Sequence, residues 1–208
     1  MVLKKLTTLT IVGVSIGVLA ACSRTPDQVV TKSAENAQTM MGQLESIQTQ
    51  EMALQDAFEA DLAADESLAN LAESGTGATR GNLQTRQEEF DELKSLFEDF
   101  QDQVESLNEF DETDFTAGED FANFDTSRQL ADSVNTQMSA YIENYQAVLE
   151  KEDAYYTSLA AEDSDLTTFS DGLAEINGNF ETSQAALSEM LPDLTALAKL
   201  SQIGRAHV

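Results

Sequence analysis

The chain has 208 residues, enough for one domain of ordinary size or two small ones. It carries 38 Asp and Glu against 11 Lys and Arg, a formal net charge of −27, with no basic cluster to displace counterions from phosphate, and this excludes nucleic acid as a partner. With 2 Pro, 10 Gly and no Trp, the chain is sparsely punctuated, which favours long uninterrupted helices over many short strands. The same negative charge keeps the surface solvated. It also repels anionic headgroups and anionic wall polymers unless divalent cations bridge them.

In chain order, the first element is a targeting segment. Lys4 and Lys5 form a basic start, Leu6 to Leu19 is apolar apart from a few threonines, and small residues follow. This is the layout of a secretory signal peptide, and the apolar run is short for a membrane span of roughly 20 residues. It ends in Leu19-Ala20-Ala21-Cys22, which resembles the bacterial lipobox and contains the chain's single cysteine. The spacing has a chemical reason. The sulfur of Cys22 must reach the bilayer surface to form a thioether with diacylglycerol, and the two alanines let the peptidase pass the backbone. Residues 1–21 are therefore expected to be removed. Cys22 becomes the lipid-attachment residue, carrying two or three acyl chains such as palmitate, and two or more chains hold firmly where one does not. Loss of Lys4 and Lys5 takes the net charge from −27 to −29. Acylation also leaves no thiol for a disulfide, a nucleophile or a metal.

Residues 22–28 read as a polar tether, and 29–202 as a helical domain. Four stretches repeat apolar residues every 3 to 4 positions, the mark of helices packed along a seam. The first runs from about Val29 to Ala72 through Met40, Leu44, Ile47, Leu54, Phe58 and Leu62, with Glu51 interrupting. It is expected to be the longest, its start forming a stalk, and Gly75, Gly77 and Gly81 should break it off. The second covers about Leu83 to Leu107, with Arg86 as its exception. The third covers about Ser127 to Ala161, with Glu152 as its exception. The fourth begins near Leu166, capped by Asp163 or Ser164, and continues through Phe169, Leu173, Ile176, Phe180, Leu187, Met190, Leu194 and Leu197. Pro192 should kink it or end it early. The fold class is all-α: an elongated up-and-down antiparallel bundle of four long helices.

Between the second and third helices, residues 108–125 hold Phe110, Phe115, Phe121 and Phe124 among seven acidic residues. The first reading is a connection whose phenylalanines cap the bundle end. A docking loop and a Ca²⁺ site are the alternatives, although the oxygen spacing does not follow the EF-hand loop. The closing residues 203–208, IGRAHV, leave the seam pattern. They are expected to be a non-native tail, since codons for them match the start of a common sequencing adapter. His207 therefore carries no functional argument.

Chemistry in the remaining residues is sparse. No catalytic, cofactor-binding or metal-binding set stands out, and the chain is not expected to be an enzyme. The carboxylate pairs Glu88 and Glu89, Asp91 and Glu92, and Glu152 and Asp153 look like a solvated acidic face. Glu51 and Glu152 differ, because each falls on an apolar stripe. A buried carboxylate there has a raised pKa or needs a cation, for which Arg86 and Arg128 are the candidates. Tyr141, Tyr145, Tyr155 and Tyr156 cluster on the third helix, either as core or as one wall of a glycan groove.

The lipobox and the segments EMALQDAFEADLAADESLANL (51–71) and YIENYQAVLEKEDAYYTSLAAEDSDLTTFSDGLAEING (141–178) resemble the YkyA-like cell-wall-binding lipoproteins of Gram-positive bacteria. The resemblance covers Cys22 to about Leu200. It implies a four-helix bundle on the outer face of the cell membrane, with no catalytic residues. Many members of that family are Lys-rich, whereas this chain is acidic. The expected protein is thus a membrane-anchored, extracytoplasmic lipoprotein that contacts cell wall or another envelope protein, as a monomer or as a dimer closed by seams between chains. The alternative is a surface lipoprotein that binds a ligand or cation.

Overall fold

The computed structural model describes residues 24–205. Four α-helices make up the fold: α1 (Pro26–Ala64), α2 (Ala78–Asn108), α3 (Gly118–Leu159) and α4 (Leu166–Arg205). Single 3₁₀ turns at Ala69–Leu71 and Glu112–Asp114 lie in the connections, and no strand occurs among the described residues. Each helix packs against its neighbours in sequence, and α1 closes the ring against α4. This is the up-and-down antiparallel bundle that the seam spacing predicts. Residues 1–23, on which the expected signal segment and Cys22 fall, and residues 206–208 lie outside the described residues.

The ends of the helices differ from expectation, each time for a local reason. α1 begins at Pro26, inside the stretch read as tether. Thr25 Oγ1 accepts a hydrogen bond from the Gln28 backbone N–H, Gln28 Oε1 accepts one from the Thr25 N–H, and Pro26 sits in the first turn, where its missing N–H costs nothing. Val29, Ser33, Ala34 and Ala37 are buried at once, and Arg24 Nη1 donates to Ser106 Oγ at 3.1 Å, so the start of α1 is bundle and not stalk. α1 stops at Ala64 and not near Ala72, because Asp65 Oδ1 accepts from both the N–H and the hydroxyl of Ser67 and draws the chain into a turn. α2 then starts at Ala78, five residues before Leu83. Gly75 and Gly77 are required in the turn, since a Cβ at 75 would strike the Asn70 backbone and one at 77 the Asp61 carboxylate. Gly81 does not break the helix. It sits inside α2 with open space around it, at a cost of about 1 kcal/mol relative to Ala.

α3 is the longest helix, at 42 residues, and starts nine positions before Ser127. The acidic connection is thereby split. Asp111 caps a 3₁₀ turn by accepting from the Thr113 N–H at 2.7 Å. Phe115 packs on Phe121 and Phe124, at 5.4 and 5.0 Å between ring centroids, and Phe110 meets Phe124 edge-on. The four rings close the bundle end, which is the capping reading of this segment. Asp165, not Asp163 or Ser164, caps α4, accepting from the Thr168 N–H at 2.8 Å. Pro192 does not end α4, which continues to Arg205. Proline deprives the Ser188 carbonyl of its donor, but Ser188 lies on the exposed face, while Met190, Leu194 and Leu197 on either side are fully buried.

The core comes in two parts. The larger runs from the Arg24 end to the middle of the bundle and includes Met40, Leu44, Ile47, Phe90, Phe97, Phe100, Met138, Tyr145, Leu187 and Leu194. The smaller, toward the opposite end, gathers Leu71, Leu83, Tyr155, Tyr156, Leu159 and Ile176. There the predicted seam fails in part. Leu62, Leu166, Phe169 and Leu173 carry the spacing of core residues yet remain exposed.

Candidate functional site

The three seam positions flagged as exceptions meet between the two cores. α2 brings Arg86, three residues after Leu83 and four before Phe90. α3 brings Glu152 between Val148 and Tyr155, and α1 brings Glu51 between Ile47 and Leu54. A charged residue at a seam position has nowhere to go but inward, and Arg86 and Glu152 are 0 % and 2 % exposed. Arg86 Nη2 pairs directly with Glu152 Oε2, and Arg86 Nε donates to Asn82 Oδ1 at 3.0 Å. Asn82, one turn earlier on α2, donates in turn to the Gln50 carbonyl of α1 at 2.7 Å. Gln184 of α4 donates to Glu51 Oε2 at 3.3 Å. All four helices therefore contribute to one polar layer. Arg128, the other candidate cation, is elsewhere: it pairs with Asp125 three residues before it, at the end closed by the phenylalanines.

The layer holds the Arg86 guanidinium and the Glu152 carboxyl away from water, with the Glu51 carboxyl half-buried beside them. Burial lifts the Glu51 carboxyl from 4.5 to about 7, against the opposing pull of the Tyr145 hydroxyl and of Arg86 and with a push from Glu152. Burial also raises Glu152, partly offset by its direct contact with Arg86. Burial works against the charge of Arg86, but Glu152 and Tyr145 together outweigh it, and the guanidinium holds its proton more firmly than usual. The arrangement is close to neutral when Glu51 is protonated and carries a surplus negative charge when it is not. Its most readily titrated group is thus Glu51, with a carboxyl pushed up to about 7.

The other sequence candidates are placed as follows. Tyr141, Tyr145, Tyr155 and Tyr156 are all buried, so they form core and not a glycan groove. Tyr141 and Tyr145 stack at 5.6 Å, and Tyr145 also meets Phe90 at 5.2 Å. Burial pushes both of these phenols well up. The carboxylate pairs on α2 serve the helix surface: Glu88 accepts from Gln84, and Asp91 accepts from Gln87 and pairs with Lys94 at 2.6 Å. Asp153 pairs with Arg80, whose guanidinium also donates to the Leu71 carbonyl and the Thr157 hydroxyl and so ties α2 to α3 and to the turn before it. Among the described residues, no three His, Cys, Asp or Glu side chains are grouped to hold a metal ion.

Sequence reading missed Asp61. It lies on the seam of α1, three residues after Phe58, where the predicted stripe passes instead to Leu62; it is buried, and accepts from the backbone N–H groups of Ala78 and Thr79 at 2.7 and 2.8 Å. It thus caps α2 from a distance of 17 residues; the spacing of α1 signals its burial, but nothing local signals the donors it meets. Asn82 and Gln184 were missed as well, the only hint being that each is polar within a turn of the seam.

No helix among the described residues is long and apolar enough to cross a membrane. Residues 25–192 match the model of one protein family, YkyA, described as "Putative cell-wall binding lipoprotein". No curated protein and no solved structure matches the chain.

Proposed function

From the premise that this chain belongs to the YkyA family, we propose that it is a lipoprotein held on the outer face of the cell membrane by acyl chains on Cys22, and that its helical rod binds cell wall or another envelope protein without catalysing a reaction. One observation carries the reading. The family match begins at Thr25 and the first helix at Pro26, so the folded domain starts within four residues of the lipobox cysteine. An extended chain covers at most about 3.6 Å per residue, so a lipid on Cys22 holds the phenylalanine-closed end of the bundle within about 15 Å of the bilayer. The absence of a stalk supports the same picture, since α1 is packed from its first turn.

Two measurements test it. The intact mass of the purified protein should show loss of residues 1–21 and addition of diacylglycerol at Cys22, and Cys22→Ser should move the protein out of the membrane fraction. An unmodified thiol, or unchanged fractionation of the variant, overturns the anchor. Pull-down on purified peptidoglycan, with and without Ca²⁺, tests the partner. Retention without metal supports wall binding. Absence of retention, together with a rise in melting temperature on adding Ca²⁺, favours a cation-binding lipoprotein instead.

A further inference from the structure

The end of the bundle opposite Arg24 leaves an apolar strip uncovered. On α4, Leu166, Phe169 and Leu173 follow one another at steps of three and four, so they line one helix face, and they are 81 %, 36 % and 40 % exposed. On α1, Leu62 is 43 % exposed. The contact between Glu51 and Gln184 fixes the register of these antiparallel helices. Eleven residues further along each, Leu62 comes opposite Leu173, so the four side chains share one end of the rod. A shallow depression lined by Leu62 and Ala63, with Glu59 and Glu66 at its sides, lies in the same region. Large exposed apolar residues grouped in this way mark an interaction surface more often than a solvated one.

The charge around the strip selects the occupant. From Glu51 to Thr79, and again from Glu152 to Ala198, the sequence contains no Lys or Arg. The nearest cations, Arg80 and Lys151, are engaged with Asp153 and Glu175. A second copy would bring two such acid-only ends together, and an anionic wall polymer is repelled in the same way. We infer that this strip is the docking site for a basic amphipathic helix of another protein, whose apolar residues seat on Leu62, Leu166, Phe169 and Leu173 while its Lys or Arg side chains reach Glu59, Glu66 and their neighbours. Recognition of this kind reads anchors at helical spacing on the partner. It requires neither the lipid nor wall binding, so failure of either leaves it standing.

The test uses the full chain in zwitterionic nanodiscs, with empty discs as blank. The probe is a labelled helical peptide with Leu on one face and Lys on the other, compared with a peptide in which Glu replaces Lys. The Lys peptide should bind at least about tenfold more tightly and weaken with added salt. The quadruple variant Leu62→Gln, Leu166→Gln, Phe169→Gln, Leu173→Gln, which changes only exposed side chains and should keep its helical circular dichroism, should lose about tenfold. The pair Glu59→Gln, Glu66→Gln should lose a smaller factor. Equal binding of both peptides, or undiminished binding by the quadruple variant, overturns the inference. So does a concentration-dependent dimer that the quadruple variant abolishes, which would make a second copy the occupant.

Discussion

Arg86 and Glu152 face each other across the bundle between its two apolar cores, each at a seam position that the surrounding pattern reserves for an apolar side chain. Such a pair gives little net stability, because desolvation consumes most of the attraction, but it strongly penalises any arrangement that separates the partners. A slip of one heptad between α2 and α3 would leave both charges buried and alone.

Removing one member should therefore be severe. Arg86→Met leaves Glu51 and Glu152 without their cation and should cost about 3–5 kcal/mol in urea unfolding. Replacing both partners with apolar residues, Arg86→Met with Glu152→Leu, should recover most of that loss. A double variant as unstable as the single one would mean that Arg86 matters for its other contacts and not for the ion pair.

Glu51 should make stability depend on pH. Its carboxyl titrates near 7 in the fold and near 4.5 when unfolded. Between those values the native state holds a proton that the unfolded chain has lost, so stability declines as pH rises through this window and levels off above it. The elevation corresponds to about 3 kcal/mol. Glu51→Gln should match the parent below pH 4.5 and exceed it by up to that amount at pH 8. Denaturant titrations of both proteins across the range read the difference, which removes the background from the many surface acids. A constant difference would show that Glu51 is not the group responsible.

Two glycines on α4 should respond in opposite senses to the same change. A Cβ at Gly172 would strike the ring of Tyr155, whose hydroxyl donates to the Phe169 carbonyl at 3.3 Å. Gly172→Ala should cost about 1–3 kcal/mol by overpacking, with faster amide exchange in residues 166–176 and little change in 187–197. Gly178 has open space around it, and Gly178→Ala should stabilise by about 0.5–1 kcal/mol. Thermal melts with hydrogen exchange distinguish the two.

Asp61→Ala removes the acceptor for two backbone donors at the start of α2 and should cost about 1–2 kcal/mol, read by chemical denaturation. Asp61→Asn keeps one acceptor oxygen and should recover part of the loss.

The helices and their seam are legible in the sequence because burial on one face imposes a period that apolar residues must follow. Glu51, Arg86 and Glu152 stand out for the same reason, as violations of the period. Which cation Glu152 takes is not legible, because only the register between helices selects Arg86 over Arg128. The exposed Leu166, Phe169 and Leu173 mark the other limit. Their spacing is indistinguishable from that of Leu187, Met190 and Leu194, and burial depends on what lies opposite, which no single helix encodes. The early start of α3 is obscured because its first turns are acidic, with the apolar content reduced to Phe121 and Phe124 packing on a loop. The Asp61 cap escapes because a residue at the end of one helix satisfies the next.

The helices run unbroken between end connections, and this gives the molecule a fixed gauge. At about 1.5 Å per residue, the 42 residues of α3 set a separation of about 60 Å between its two sets of loops. Anything seated at one extremity is kept that far from whatever grips the other, as by a rigid strut. Deleting one heptad from every helix would shorten the strut by about 10 Å and keep the pattern in phase, whereas deleting three residues would break it.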